Sequence, residues 1–255
     1  MAAEIIAVCN KKGGVAKTTT THALGAGLSL KGGRVLLIDL DSQCNLSQAA
    51  GADLSGAGAG EVLRGEAESV ESVQRITDTL DIIPGGASLA RADLDITETG
   101  KEYRLKEKID NLLPVYDYIV IDTPPALGIL TINALTAAGH LVIPAQADYF
   151  SLKALEDLQA VLDVVRKYTN PALCTLGILF TRHNPRTVFT RDLDDMITET
   201  AESMKTGVFS ARIRETVAIK EAQARHQDIF TYAPKSKVAA DYRQFVAEVQ
   251  EKIKG

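Results

Sequence analysis

Short runs of Val, Ile and Leu alternate with longer stretches of helical periodicity along almost the whole chain. That alternation restricts the fold more than any other feature of the sequence. The apolar runs lie at 4–9, 34–39, 80–84, 116–122, 140–144 and 175–180. They are nearly continuous in apolar character, which predicts strands covered on both faces, as in a parallel sheet between two helical layers. Helices are predicted at 17–31, 101–113, 128–138, 151–168, 187–203 and 237–253. In the last of these, Val238, Tyr242, Phe245, Val246, Val249 and Ile253 form one apolar stripe. The pattern predicts an α/β fold: a single doubly wound domain over residues 1–255, mostly parallel, with helices on both faces. The Gly-rich stretch at 55–60 is too brief to divide domains and reads as a flexible loop.

One connection carries chemistry. Between the first apolar run and the first helix stands NKKGGVAKTTTT, residues 10–21. A glycine loop that leaves a strand and opens a helix offers unpaired backbone N–H groups and the positive end of a helix dipole to phosphate oxygens. Gly13 and Gly14 permit close backbone approach, Lys17 would reach the outer phosphates, and the Thr18 hydroxyl would ligate Mg²⁺. The usual phosphate-loop frame places Gly where this chain has Lys11 and Ala16. Asp122 ends the run YDYIVID, where a carboxylate can orient Mg²⁺ beside the loop. Asp39 and Asp41 end RVLLIDLD, two residues apart, so both lean toward one rim. An aspartate at a strand end is common in any α/β sheet. Three of them on one rim beside a glycine loop indicate a nucleotide site.

Composition removes other classes. Cys9, Cys44 and Cys174 are far apart, without the spacing of a zinc site or disulfide framework. No apolar run approaches the roughly 20 residues of a membrane span, and the first apolar stretch is too short for a signal peptide. Net charge is −5, yet residues 180–255 carry 13 Lys and Arg against 11 Asp and Glu, an asymmetry that can conceal a basic face.

Taken together, these motifs resemble the ParA/MinD family of deviant Walker A P-loop ATPases, and within it the short ParA type used in DNA partition. KKGGVAKT satisfies the family's loop xKGGxxK[ST], so Lys11 is no defect and Lys12 falls on the signature lysine. Ala16 stands where Gly is commoner. DLDSQCNLS is similar to the family's DxDPQGN segment, with Ser42 for Pro and Cys44 for Gly. IDTPPALGILTINAL, VIPAQADYFSLKAL and YAPKSKVAADY resemble its Walker B region, following helix and C-terminal motif. IRETVAIKEAQ departs from the family's IPRNVRLSEAP.

The resemblance implies ATP and Mg²⁺ as ligands of residues 12–19, that is Lys12, Gly13, Gly14, Val15, Ala16, Lys17, Thr18 and Thr19. It implies Thr18, Asp39 and Asp122 around the metal, Asp41 orienting the attacking water, and Lys12 reaching phosphates held by a second subunit of a homodimer. It further implies a cytoplasmic, nucleoid-associated protein whose ATP-bound dimer coats DNA nonspecifically. A ParB-like or other cargo-bound activator would release that dimer by stimulating hydrolysis. Arg186, Lys220 and Arg225 are the candidate DNA contacts, with Arg212, Arg214, Lys235 and Lys237 behind them. Ala218 stands at one of the family's basic positions. The alternative is a MinD-like ATPase that positions a protein or membrane-associated cargo. It would need an amphipathic tail beyond the last helix, so no membrane insertion is expected.

Overall fold

A computed structural model describes residues 2–183 and 188–254, without the side chains of Asp93 and of residues 188–192. The first half runs β1 (Glu4–Val8), α1 (Lys17–Leu30), β2 (Val35–Asp39), α2 (Asn45–Ala50), α3 (Ala59–Arg64), β3 (Gln74–Arg75), β4 (Leu80–Ile83) and α4 (Ala92–Asp95). It continues through α5 (Arg104–Lys108), β5 (Tyr118–Asp122), α6 (Ile129–Ala137), β6 (His140–Ala145) and α7 (Tyr149–Tyr168). The last part holds β7 (Cys174–His183), α8 (Val188–Ser203), β8 (Val208–Arg214), α9 (Val217–Ala224), α10 (Ile229–Tyr232) and α11 (Lys237–Lys254).

The strands form one sheet in the order β3-β4-β2-β5-β1-β6-β7-β8. All described pairings are parallel except the short edge pair of β3 with β4. From β1 the chain winds first to one side, through β2, and later to the other, through β6. The topological switch therefore lies beside β1, where open α/β sheets bind ligands. All six expected strands are present. The expected helix at 101–113 is instead broken into a 3₁₀ turn, the short α5 and a second 3₁₀ turn. The stretch read as a loop at 55–60 ends inside α3, which starts at Ala59 after Gly58.

Alternation along each strand divides the core in two. Ala7, Ile38, Ile119, Ile121, Leu141 and Ile143 pack with α6 and α7 on one face. Ile6, Val8, Val35, Leu37, Val120 and Val142 pack with α1 and α11 on the other. Helix α1 is wedged between sheet and α11, and this explains two glycines inside a helix. A Cβ on Gly25 would lie 2.4 Å from Leu37 Cδ2, and one on Gly27 would lie 2.7 Å from Val246 Cγ2. The close fit fixes the start of α1, and so the glycine loop, against the sheet.

Candidate nucleotide site

The loop after β1 is held from outside. Asn10 Nδ2 donates to the Pro144 carbonyl at 2.7 Å, and Asn10 Oδ1 accepts from Lys12 N at 3.0 Å. Gln146 Nε2 donates to the Gly14 carbonyl at 2.9 Å, and the Thr181 hydroxyl donates to Val15 at 3.1 Å. These bonds, from the ends of β6 and β7, satisfy loop carbonyls and leave the N–H groups at the start of α1 to a ligand. The helix has no side-chain cap, and its N-cap is Ala16 in the left-handed region at φ 63°. Cys44, at the N-cap of α2, is left-handed too, at φ 54°. The resembled family has glycine at the Cys44 position, and glycine is the commoner residue at the Ala16 position. The chain keeps glycine's backbone there at a cost of about 1 kcal/mol per residue.

Lys17 is buried, and its ammonium donates to the Lys12 carbonyl at 3.1 Å. Burial lowers its pKa, while the Asp122, Cys9 and Asp41 charges act to raise it. Asp39 and Asp122 are register partners on adjacent strands and both fully buried. Asp39 is held by groups of the loop that follows it. Its Oδ1 accepts from Asp41 N at 3.0 Å, and its Oδ2 accepts from Ser47 N at 3.0 Å and the Ser47 hydroxyl at 2.7 Å. Asp39 therefore anchors the loop that carries Asp41. Asp122 is the carboxylate with spare capacity: Oδ1 accepts from the Thr21 hydroxyl at 3.3 Å, while buried Oδ2 has no partner among the described residues.

Burial, and then the Asp39 charge, push the Asp122 carboxyl well above the usual carboxylate range; a hydrogen bond from Thr18 and the Lys17 charge oppose them. A buried, unpartnered carboxylate oxygen beside a threonine hydroxyl suits a hard divalent cation of Mg²⁺ type. Asp122→Asn should therefore remove the cost of ionising a buried carboxyl and stabilise the nucleotide-free protein at pH 8 and above. Because the folded state binds the extra proton, wild-type stability should fall as pH rises from about 4 through the raised pKa. The variant should lose that share of the slope in thermal melts at pH 5–9. It should also lose Mg²⁺-dependent nucleotide binding.

Loop, Asp41, α2, the ends of β7 and β8, and α9 enclose a cleft of about 660 Å³, within the range of small-ligand sites. Gly13, Gly14, Ala16, Lys17, Thr18 and Thr19 line it on the loop, and Arg182, Ile213, Arg214, Glu215 and Ile219 line it from the later part of the chain. This second wall was missed by the sequence reading.

The remaining candidates are placed by their contacts. The Lys12 ammonium makes an ion pair with Asp148, the N-cap of α7, and lies 3.4 Å from the Ser151 hydroxyl. It is thus engaged within its own subunit. Lys220 lines the cleft, while the Arg225 guanidinium lies 5.5 Å from the Tyr232 ring centroid. Arg214 is bound to Asp241, and Arg212 lies 4.6 Å from the Phe180 ring centroid, so neither is a free surface cation. Arg186 lies outside the described residues.

A parallel sheet with a glycine loop at its switch point and carboxylates on the same rim is the architecture of a P-loop NTPase. A family model described as an AAA domain matches residues 3–175. Sporulation initiation inhibitor protein Soj of Bacillus subtilis is 37% identical, over 96% of this chain and 98% of its own. Chromosome-partitioning ATPase Soj of Thermus thermophilus is 35% identical, over 97% of this chain and 96% of its own. The crystal structure of cobyrinic acid a,c-diamide synthase from Mycobacterium smegmatis with bound ADP and magnesium has a TM-score of 0.86 and 33% identity. It covers 99% of this chain and 96% of that one. The chain belongs to the ParA/MinD family of P-loop ATPases, on its Soj and ParA branch.

Proposed function

We propose that this chain is a partition ATPase acting as a single domain, whose Mg²⁺-ATP-bound homodimer holds DNA nonspecifically until a cargo-bound, ParB-like activator triggers hydrolysis. The observation that carries the reading is the place of Lys12. It stands on the phosphate loop yet is absent from the residues lining its own cleft. Its ammonium instead lies beside Asp148, next to Tyr149 and Phe150, which are 70% and 73% exposed. A loop cation outside its own cleft, paired with the residue that precedes two exposed aromatics, is suited to a neighbouring subunit's phosphates.

Within each cleft, the N–H groups of residues 13–19 and the Lys17 ammonium hold the phosphates. The Thr18 hydroxyl and Asp122 hold Mg²⁺, with Asp39 bracing the loop above. Bound there, Mg²⁺ offsets charge on the phosphate oxygens. Asp41, presented at the cleft by that loop, orients the water that attacks the terminal phosphate. Phosphoryl transfer asks for positioned water and fixed positive charge, and these residues supply both.

DNA is favoured over a membrane surface because the apolar stripe of α11 is occupied. Val238, Tyr242, Phe245, Val246 and Val249 are buried in the core. No helix among the described residues is long and apolar enough to cross a membrane. The relatives named for chromosome partitioning support the same cargo. Arg186 and Arg225 remain the proposed phosphate contacts, with Lys220 third because of its place on the cleft wall.

A DNA titration against salt with ATP, ADP and no nucleotide tests the proposal. Binding should require ATP and weaken steeply with salt. Arg186→Ala should weaken all DNA sequences alike and reduce the salt slope by about one. Asp41→Ala should bind ATP and DNA but fail to hydrolyse or release. Nucleotide-independent DNA binding, or anionic vesicle binding in place of DNA, would overturn the reading.

A further inference from the structure

The cleft wall formed by the end of β8 has a feature that phosphate binding leaves unexplained. Arg214 stands at the end of β8, where the resembled family segment has proline. Its guanidinium is clamped by Asp241 of α11. Nε donates to Oδ2 at 2.7 Å, an Nη donates to Oδ1 at 2.7 Å, and the Arg214 backbone N–H donates to Oδ2 at 3.2 Å. Asp241's side chain is 10% exposed, whereas that of Arg214 is 46% exposed and lines the cleft. One carboxylate thus holds one edge of a planar cation that is half exposed and lines the cavity. Ile213 and Ile219 line the same cleft and supply apolar surface.

We propose that Arg214, locked by Asp241, is the stacking platform for the nucleotide's base, which it would hold by one face. This rests on the cleft being the nucleotide site. A delocalised, weakly hydrated guanidinium stacks on π-faces where an ammonium does not. The bidentate clamp fixes the plane before ligand arrives, so little side-chain freedom is lost on binding. Every base has a π-face, so the platform contributes affinity for ATP and GTP alike rather than choosing between them.

Binding of Mg²⁺-ATP, Mg²⁺-GTP and Mg²⁺-tripolyphosphate to wild type, Arg214→Ala, Arg214→Lys and Asp241→Asn tests this, with nucleotide-free melts as the check on folding. Arg214→Ala should weaken ATP and GTP by about tenfold and leave tripolyphosphate within about twofold. Arg214→Lys keeps a cation for Asp241 but lacks the plane. It should lose nearly as much ATP affinity as alanine while melting like wild type. Asp241→Asn should show a smaller loss, again confined to the nucleosides.

Wild-type ATP affinity in Arg214→Lys would show that charge alone matters and overturn the proposal. Equal losses for ATP and tripolyphosphate would place Arg214 on the phosphates and overturn it as well. If wild type bound neither ATP nor tripolyphosphate, the nucleotide reading of the cleft would fail instead.

Discussion

Lys17→Ala is expected to abolish ATP binding under conditions where wild type saturates. Removing one member of a buried, hydrogen-bonded charge pair costs about 2–5 kcal/mol, or roughly thirtyfold to several thousandfold in Kd. Lys17 belongs near the upper end because it is buried and faces a site that already holds three aspartates. Without its ammonium, those carboxylates would repel an incoming triphosphate with no fixed side-chain cation between them. Lys17→Met separates this effect from folding. It fills the same space with apolar atoms, and replacing a desolvated charge in this way is often neutral or stabilising. Calorimetric titration with Mg²⁺-ATP should show no heat for either variant, while thermal melts show Lys17→Met at least as stable as wild type. Tight binding retained by both would remove Lys17 from the phosphates.

Lys12→Ala should have the opposite profile, binding ATP while losing ATP-dependent self-association and nearly all turnover. The side chain must leave Asp148 to serve a second subunit, and magnitudes favour that exchange. Lys12 and Asp148 are 22% and 32% exposed, and a pair so placed is worth about 1 kcal/mol or less. An ammonium about 4 Å from a phosphate oxygen at a partly solvated interface gains roughly 4 kcal/mol per unit charge. On the proposed reading, the several charges of a partner's triphosphate would draw Lys12 away from the single carboxylate of Asp148. Light scattering and phosphate release, each with and without ATP, should show a monomeric, inactive variant. Asp148→Asn, which loosens the hold, should associate at lower protein concentration than wild type. Wild-type turnover by Lys12→Ala would remove the lysine from the reaction.

What the sequence showed and what it hid divide along physical lines. The six strands found are those with unbroken apolar runs, since both faces are covered. β8 was missed because it lies at the sheet's edge and reads VFSARIR, with polar and charged residues breaking the run. β3 has two residues, too few for any periodicity. Helices α2 and α9, with six and eight residues, are too short to show a clear helical period. The phosphate loop and the three carboxylates were legible because each stands at or just past the end of an unbroken apolar strand run.

The Lys12–Asp148 pair spans 136 residues, and local spacing could not reveal it. The second cleft wall followed β8 into obscurity. Its one available signal was the departure IRETV, which the structure turns into the Arg214 clamp. Asp39 illustrates a subtler limit: the residue was correctly placed on the rim, but its engagement by Ser47 depends on how the intervening loop folds back.

The cleft joins the beginning of the chain to its end: Gly13 to Thr19 on one side, Ile213 to His226 and Tyr242 on the other. On the ribosome, therefore, the loop emerges long before the wall that completes its pocket. A truncated or still-growing polypeptide lacks that wall and should capture no ATP tightly. On the proposed reading, nucleotide loading would thus require residues from both parts of the chain.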